Sequence, residues 1–147
     1  MTRKRFLQSV LVAPLTAAVP MSAANPQLQV YKTPTCGCCG KWVQHLKDAG
    51  FQVVVQDVAD TSVYRRKYGV PESLRSCHTA VVEGYVVEGH VPAGEIQRLL
   101  RERTRAKGLA TPGMPVGSPG MESTRSEPYS VMIFDGEGRS SVYKRYS

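Results

Sequence analysis

Leu28-Gln29-Val30-Tyr31-Lys32-Thr33-Pro34-Thr35-Cys36-Gly37-Cys38-Cys39-Gly40-Lys41-Trp42-Val43-Gln44-His45-Leu46 is the stretch on which the reading of this chain turns. Its first four residues alternate between apolar and polar, the period of a strand. Thr33-Pro34-Thr35 reads as a turn. Beyond the cysteines, Trp42, Val43, Leu46 and Ala49 form one apolar stripe at helical spacing, and Gly50 is the expected stop. Three of the four cysteines therefore sit between a strand and the first turn of a helix. A helix N-terminus offers unpaired N–H groups and a positive dipole end, which favour thiolate over thiol.

Working outward, Phe51 to Val58 is rich in β-branched residues and reads as a second strand. Asp60 or Thr61 can cap a short helix carrying Tyr64 and Tyr68, ended by Gly69 and Pro71. Thr79-Ala80-Val81-Val82 and Tyr85-Val86-Val87 flank Glu83-Gly84, a hairpin signal. Pro92 opens a third helix with Ile96, Leu99 and Leu100 inward and Arg98, Arg101, Arg103 and Arg105 outward. The order β-α-β-α-β-β-α predicts an α/β fold, a thioredoxin-like sandwich. Residues 108–128 break the pattern as a Gly/Pro/Met-rich loop. Residues 129–147 then read as an extra C-terminal β-hairpin around Asp135-Gly136-Glu137-Gly138, so the loop is tethered at both ends.

A chain of 147 residues is one domain's worth, and 41% hydrophobic with 21% charged residues argues against wholesale disorder. Residues 1–24 have a basic start (Arg3, Lys4, Arg5), an apolar run from Phe6 to Val19 and the small residues Ser22-Ala23-Ala24. This is the pattern of a secretory signal peptide, with residues 25–147 as the mature domain. Thr2-Arg3-Lys4-Arg5-Phe6-Leu7-Gln8 also resembles a twin-arginine signal with Lys4 in place of the second arginine, so either general secretion or that route fits. The expected location is the periplasm, an oxidising compartment in which free thiols are notable. The mature protein contains no apolar run of the roughly 18 residues a membrane span needs. The formal charge of +7 includes three positives from the leader, so the mature chain is mildly basic. The arginines of the third helix lack interleaved aromatics, which argues against nucleic acid as a partner.

Cys36 and Cys39 have C-x-x-C spacing, with Cys38 inserted between them. Cys77 stands just before the strand at Thr79, and in a thioredoxin-like topology that strand's start lies beside the cysteine-bearing helix. Consecutive helical side chains diverge by about 100°, so Cys38 and Cys39 do not easily cap one tetrahedral ion together. Thiolates bridge, however, and Cu(I) accepts low coordination by soft sulfur. A small multinuclear Cu(I)–thiolate cluster would use all four sulfurs. Two disulfides are the bland alternative: four cysteines permit three pairings, and a Cys38–Cys39 vicinal bond is disfavoured. A mononuclear zinc site, from four cysteines or from three plus a histidine, is a further alternative, although paired C-x-x-C knuckles are missing.

Met114 and Met121 lie seven apart in Pro112-Gly113-Met114-Pro115-Val116-Gly117-Ser118-Pro119-Gly120-Met121. They either offer thioethers to Cu(I) or plug gaps as the loop packs back. His78 and His90 are ligand candidates or satisfied core groups, and His45 falls on the polar face of the first helix and reads as exposed. A Cys–His hydrolase would need an oxyanion site and an orienting partner, and neither has a clear counterpart.

Four ordered motifs carry a resemblance: Tyr31 through Trp42, Ser76-Cys77-His78-Thr79-Ala80, Glu88-Gly89-His90-Val91-Pro92, and Pro112 through Glu122. Over about residues 28–146 the chain resembles the bacterial periplasmic metal-binding family long described as a domain of unknown function, which includes the CopG-type copper-resistance proteins. The resemblance implies a thioredoxin-like fold, copper bound through Cys36, Cys38, Cys39 and Cys77, and a role in copper tolerance. Copper ions and other periplasmic copper-handling proteins are the expected partners. The residues leave two functions open: a protein that holds Cu(I), or a thiol–disulfide or copper-coupled oxidoreductase using Cys36 and Cys39.

Overall fold

The computed structural model describes residues 26–147; the expected signal peptide lies outside the described residues. In chain order the elements are β1 (Gln27–Lys32), α1 (Gly37–Asp48), β2 (Gln52–Asp57), α2 (Thr61–Lys67), a 3-10 turn (Glu72–Leu74), β3 (Thr79–Val82), β4 (Tyr85–Gly89), α3 (Ala93–Glu102), β5 (Gly108–Thr111), β6 (Tyr129–Phe134) and β7 (Ser140–Tyr146). All strands join one sheet in the order β2-β1-β3-β4-β5-β6-β7. The β1–β2 and β4–β5 pairs are parallel and the rest antiparallel. Each parallel pair is bridged by a helix, as a parallel connection requires. The fold is mixed α/β, and nothing in it conflicts with the expected thioredoxin-like core.

One boundary differs from the sequence reading. Residues 108–111 are a fully buried strand, β5, and the Gly/Pro/Met loop begins only at Pro112. β5 lies between β4 and β6, where an added Cβ on Gly108 would strike the Val86 carbonyl.

Strand alternation divides the core into two faces. Leu28, Val30, Ala80, Val87, Leu109 and Val131 face α1 and α3, whose Trp42, Val43, Leu46, Ile96 and Leu99 complete the larger cluster. Val86, Ala110 and Phe134 face the opposite way, onto Val70 and Leu74. Tyr31, adjacent to Val30, stacks on Tyr64 of α2 at 4.0 Å between ring centres. Each fully buried large apolar side chain contributes about 1.5–3 kcal/mol, so the Trp42–Leu46 stripe fixes α1 on the sheet.

Register brings the scattered motifs together. Tyr31 pairs with Thr79, Thr79 with Glu88, and Glu88 with Ala110, so these four strands are cut off at one end of the sheet. The cysteine turn leaves β1 there, Cys77 and His78 enter β3 there, His90 leaves β4 there, and the Met114 loop leaves β5 there.

Candidate metal centre

The Cys36 N–H donates to the Thr33 carbonyl at 3.2 Å, closing the turn over Pro34 and seating Cys36 as the N-cap of α1. Cys38 and Cys39 occupy the first helical turn, which contains no acidic residue. Cys36 and Cys39 form a disulfide; Cys38 and Cys77 are free thiols. The Cys38 sulfur lies 3.5 Å from that of Cys36, and Cys77 Sγ lies 3.6 Å from Cys39 Sγ. All four sulfurs fall within 4.8 Å of one another. The structure thus brings Cys77 to the other three.

Both histidines reach the same point. His78 Nδ1 is 3.3 Å from Cys39 Sγ and 3.4 Å from Cys77 Sγ, while its ring packs on Trp42 with centres 4.3 Å apart. His90 Nε2 is 3.1 Å from Cys77 Sγ. The other His90 nitrogen is 2.7 Å from the Pro119 carbonyl. A carbonyl can only accept, so Nδ1 carries the proton and the Nε2 lone pair faces the sulfur. Burial holds both rings neutral: it pushes His78 down to about 3, helped by the neighbouring His90, and lowers His90. Neutral imidazole is the form that binds metal.

Burial, then the adjacent Cys38, pushes the Cys77 thiol up to about 12 against the opposing hydrogen bond from Ser76. The pocket resists bare thiolate charge, so a soft cation that displaces the thiol proton gains both the sulfur bond and the neutralised charge.

The methionines divide. Met114 Sδ is 4.0 Å from Cys38 Sγ and the side chain is 51% exposed, which places a thioether at the mouth of the cluster. Met121 lines a shallow pocket of about 410 Å³ with Gly37, Cys38, Lys41 and Glu122, and no sulfur contact joins it to the cluster among the described residues. The loop that carries both is pinned. Gly113 N–H donates to the Arg75 carbonyl, Ser76 Oγ donates to the Gly113 carbonyl, and Pro119 receives His90. Gly120, at φ +91°, lies so close to α1 that an added Cβ would sit 2.6 Å from the Cys38 carbonyl oxygen.

Three supporting residues escaped the sequence reading. Glu88, fully buried, accepts from Ser76 N–H at 2.8 Å and from the Thr79 hydroxyl at 2.6 Å, with the Arg65 guanidinium 3.7 Å away. Arg65 also donates to the Ser76 carbonyl, so this pair grips both sides of the residue before Cys77. Burial raises the Glu88 carboxyl above its ordinary range. The clue available in sequence was a carboxylate on an apolar strand two residues before His90. His45, expected to be exposed, is half-buried and its Nε2 accepts from the Ala93 N–H at 3.0 Å, capping α3. Its helical position made it polar-facing, but α3's N-terminus lands beside it, and no spacing rule foretells that.

The family model described as "Protein of unknown function, DUF411" matches residues 74–121, the segment holding Cys77, His78, His90 and both loop methionines. No curated protein sequence matches the chain. Two solved structures do. "Copper resistance protein copG", Form 2, is 45% identical with a TM-score of 0.80, covering 84% of this chain and 99% of that one. Form 1 is 46% identical with a TM-score of 0.78, covering 83% and 98%. With that identity along nearly the whole length of the solved relatives, the chain belongs to the CopG-type copper-resistance family, DUF411.

Proposed function

We propose that this protein is a periplasmic copper-binding protein of copper resistance, holding Cu(I) in a multinuclear thiolate cluster of Cys36, Cys38, Cys39 and Cys77. The observation that carries the reading is the four sulfurs within 4.8 Å of one another at the mouth of α1. Cu(I) favours soft sulfur at low coordination number, and bridging thiolates let crowded cysteines share several ions. Met114 supplies a thioether on the solvent side, and His78 and His90 supply nitrogen on the buried side. Met121 stands as an outer thioether at the rim of the Cys38 pocket. The β1–β4 core with its helices is read as thioredoxin-like, and the leader at 1–24 as the export signal.

Loading of all four sulfurs requires the Cys36–Cys39 bond to be opened. That reduction takes two electrons, from an external dithiol or from two Cu(I) ions oxidised to Cu(II), and the two thiolates it frees bind copper or take protons from water. The disulfide therefore favours a second reading, a thiol–disulfide or copper-coupled oxidoreductase. Cys38→Ser separates the two. It removes a cluster sulfur but neither partner of the disulfide. The copper-binding reading predicts crippled copper loading with disulfide reductase activity retained; the reverse result would establish the enzyme.

A further inference from the structure

The disulfide removes two of four sulfurs, and what remains is a different donor set. Cys38 and Cys77 stay free, and Cys77 belongs to a second constellation with His78 and His90, whose donor atoms also lie within 4.8 Å of one another. We infer that closing the Cys36–Cys39 bond converts the centre from a thiolate site for Cu(I) into a Cys77–His78–His90 site for a divalent ion of the zinc class, its fourth position left to water. The inference rests on the Cu(I) reading for the reduced form only; the divalent site stands on its own geometry.

Three observations support it. First, one thiolate and two imidazoles with an open fourth position make a tetrahedral zinc site, with Zn–S near 2.3 Å and Zn–N near 2.0–2.1 Å, so ligand atoms sit roughly 3.3–3.7 Å apart. The Cys77 sulfur is 3.1 Å from His90 Nε2 and 3.4 Å from His78 Nδ1, close to those edges before any ion draws them into place. Second, His90 is oriented as a ligand: its Nδ1–H is held by the Pro119 carbonyl and its Nε2 lone pair points at Cys77. Third, His78 is fully buried with its Nδ1 facing the Cys77 sulfur at 3.4 Å.

The two states exclude each other because they share Cys77. A divalent ion in the oxidised form also occupies the Cys77 thiol and keeps it from further oxidation. Opening the disulfide returns two sulfurs, and Cu(I), the ion suited to soft sulfur at low coordination, takes the enlarged set.

The test uses Co(II) as a spectroscopic probe, with Zn(II) to displace it. The mature protein is prepared in the disulfide form, with two alkylatable thiols, and titrated anaerobically. The expected result is one equivalent bound, intense visible bands of tetrahedral cobalt, a thiolate-to-cobalt ultraviolet band, and complete displacement by Zn(II). Cys77→Ser should abolish the ultraviolet contribution of that sulfur and weaken uptake by more than about tenfold, the scale on which even outer partners of a metal ligand act. His90→Gln should weaken uptake similarly, and its far-ultraviolet spectrum reports whether it folds; Cys77→Ser, nearly isosteric, serves if it does not. The double variant Cys36→Ser/Cys39→Ser has no disulfide but the same remaining donors, and should give the wild-type oxidised spectrum. Uptake only as a weak octahedral species, or uptake unchanged in Cys77→Ser, overturns the proposal. Cu(I) titration of the reduced protein is a separate arm, so failure of the copper reading leaves the cobalt result intact, and the converse.

Discussion

Replacing Gly120 by alanine places a methyl group where the loop touches the mouth of α1. The backbone there has φ +91°, outside the range that residues with a Cβ adopt readily. The new carbon would lie 2.6 Å from the Cys38 carbonyl oxygen, 3.0 Å from the Trp42 nitrogen and 3.1 Å from His90 Nδ1. Two of those three atoms are backbone of a helix anchored by Trp42, whose indole N–H donates to the Val91 carbonyl at 2.8 Å, so α1 does not yield. The loop must move. Holding it in place costs about 1–3 kcal/mol of backbone strain, with a comparable overpacking penalty. Undocking it instead forfeits the His90–Pro119 hydrogen bond, about 0.5–1.5 kcal/mol, and frees the His90 ring. The cheaper route sets the cost, so urea denaturation should show a loss of about 1 kcal/mol or more, with faster proteolysis within residues 112–128 and copper loading with an altered ultraviolet spectrum. Wild-type stability together with a wild-type copper spectrum would refute the claim that the loop's close approach organises the centre.

His45 makes the fold sensitive to acid. Burial outweighs the opposing pull of Glu122 and Asp48 and lowers its pKa from 6.5, so the unfolded chain binds its proton first. The stabilisation is present above that value and is lost as pH falls through the lower folded pKa, where protonation also removes the acceptor for Ala93 N–H. His45→Ala should flatten the fall of stability below about pH 6.5, measured by denaturant titration across the range; an unchanged slope contradicts the capping role. Glu88→Ala strands the Ser76 N–H and the Thr79 hydroxyl, removes the buried carboxylate beside the Arg65 guanidinium, and should cost about 3–5 kcal/mol, as breaking a buried charged pair does. Its copper loading should also fall, because the segment before Cys77 loses its anchor; full stability with full loading would show the clamp to be idle.

Much of this was legible in the chain because local signals agreed with the fold. The alternation before Tyr31, the apolar stripe at Trp42, Val43 and Leu46, the Asp60 cap and the Glu83-Gly84 turn each appear where they were expected. β5 was not legible, since Gly108-Leu109-Ala110-Thr111 has two apolar side chains pointing to opposite faces and sits beside a proline-rich run. Its strand state comes from the parallel slot between β4 and β6, a tertiary cause. The same slot buries Glu88, which local pattern would leave in solvent. The cysteine cluster was legible as composition, and the approach of Cys77 as topology. The orientation of His90 by Pro119 was not, because it depends on where a loop 29 residues away folds back.

Anaerobic titration of the fully reduced protein with Cu(I), followed by thiolate-to-copper ultraviolet absorption, tests the central claim most directly. Four converging sulfurs that bridge predict saturation above one copper per chain, with the endpoint lowered in Cys77→Ser. Saturation at one equivalent or less, or an endpoint indifferent to Cys77, would contradict a shared four-sulfur cluster.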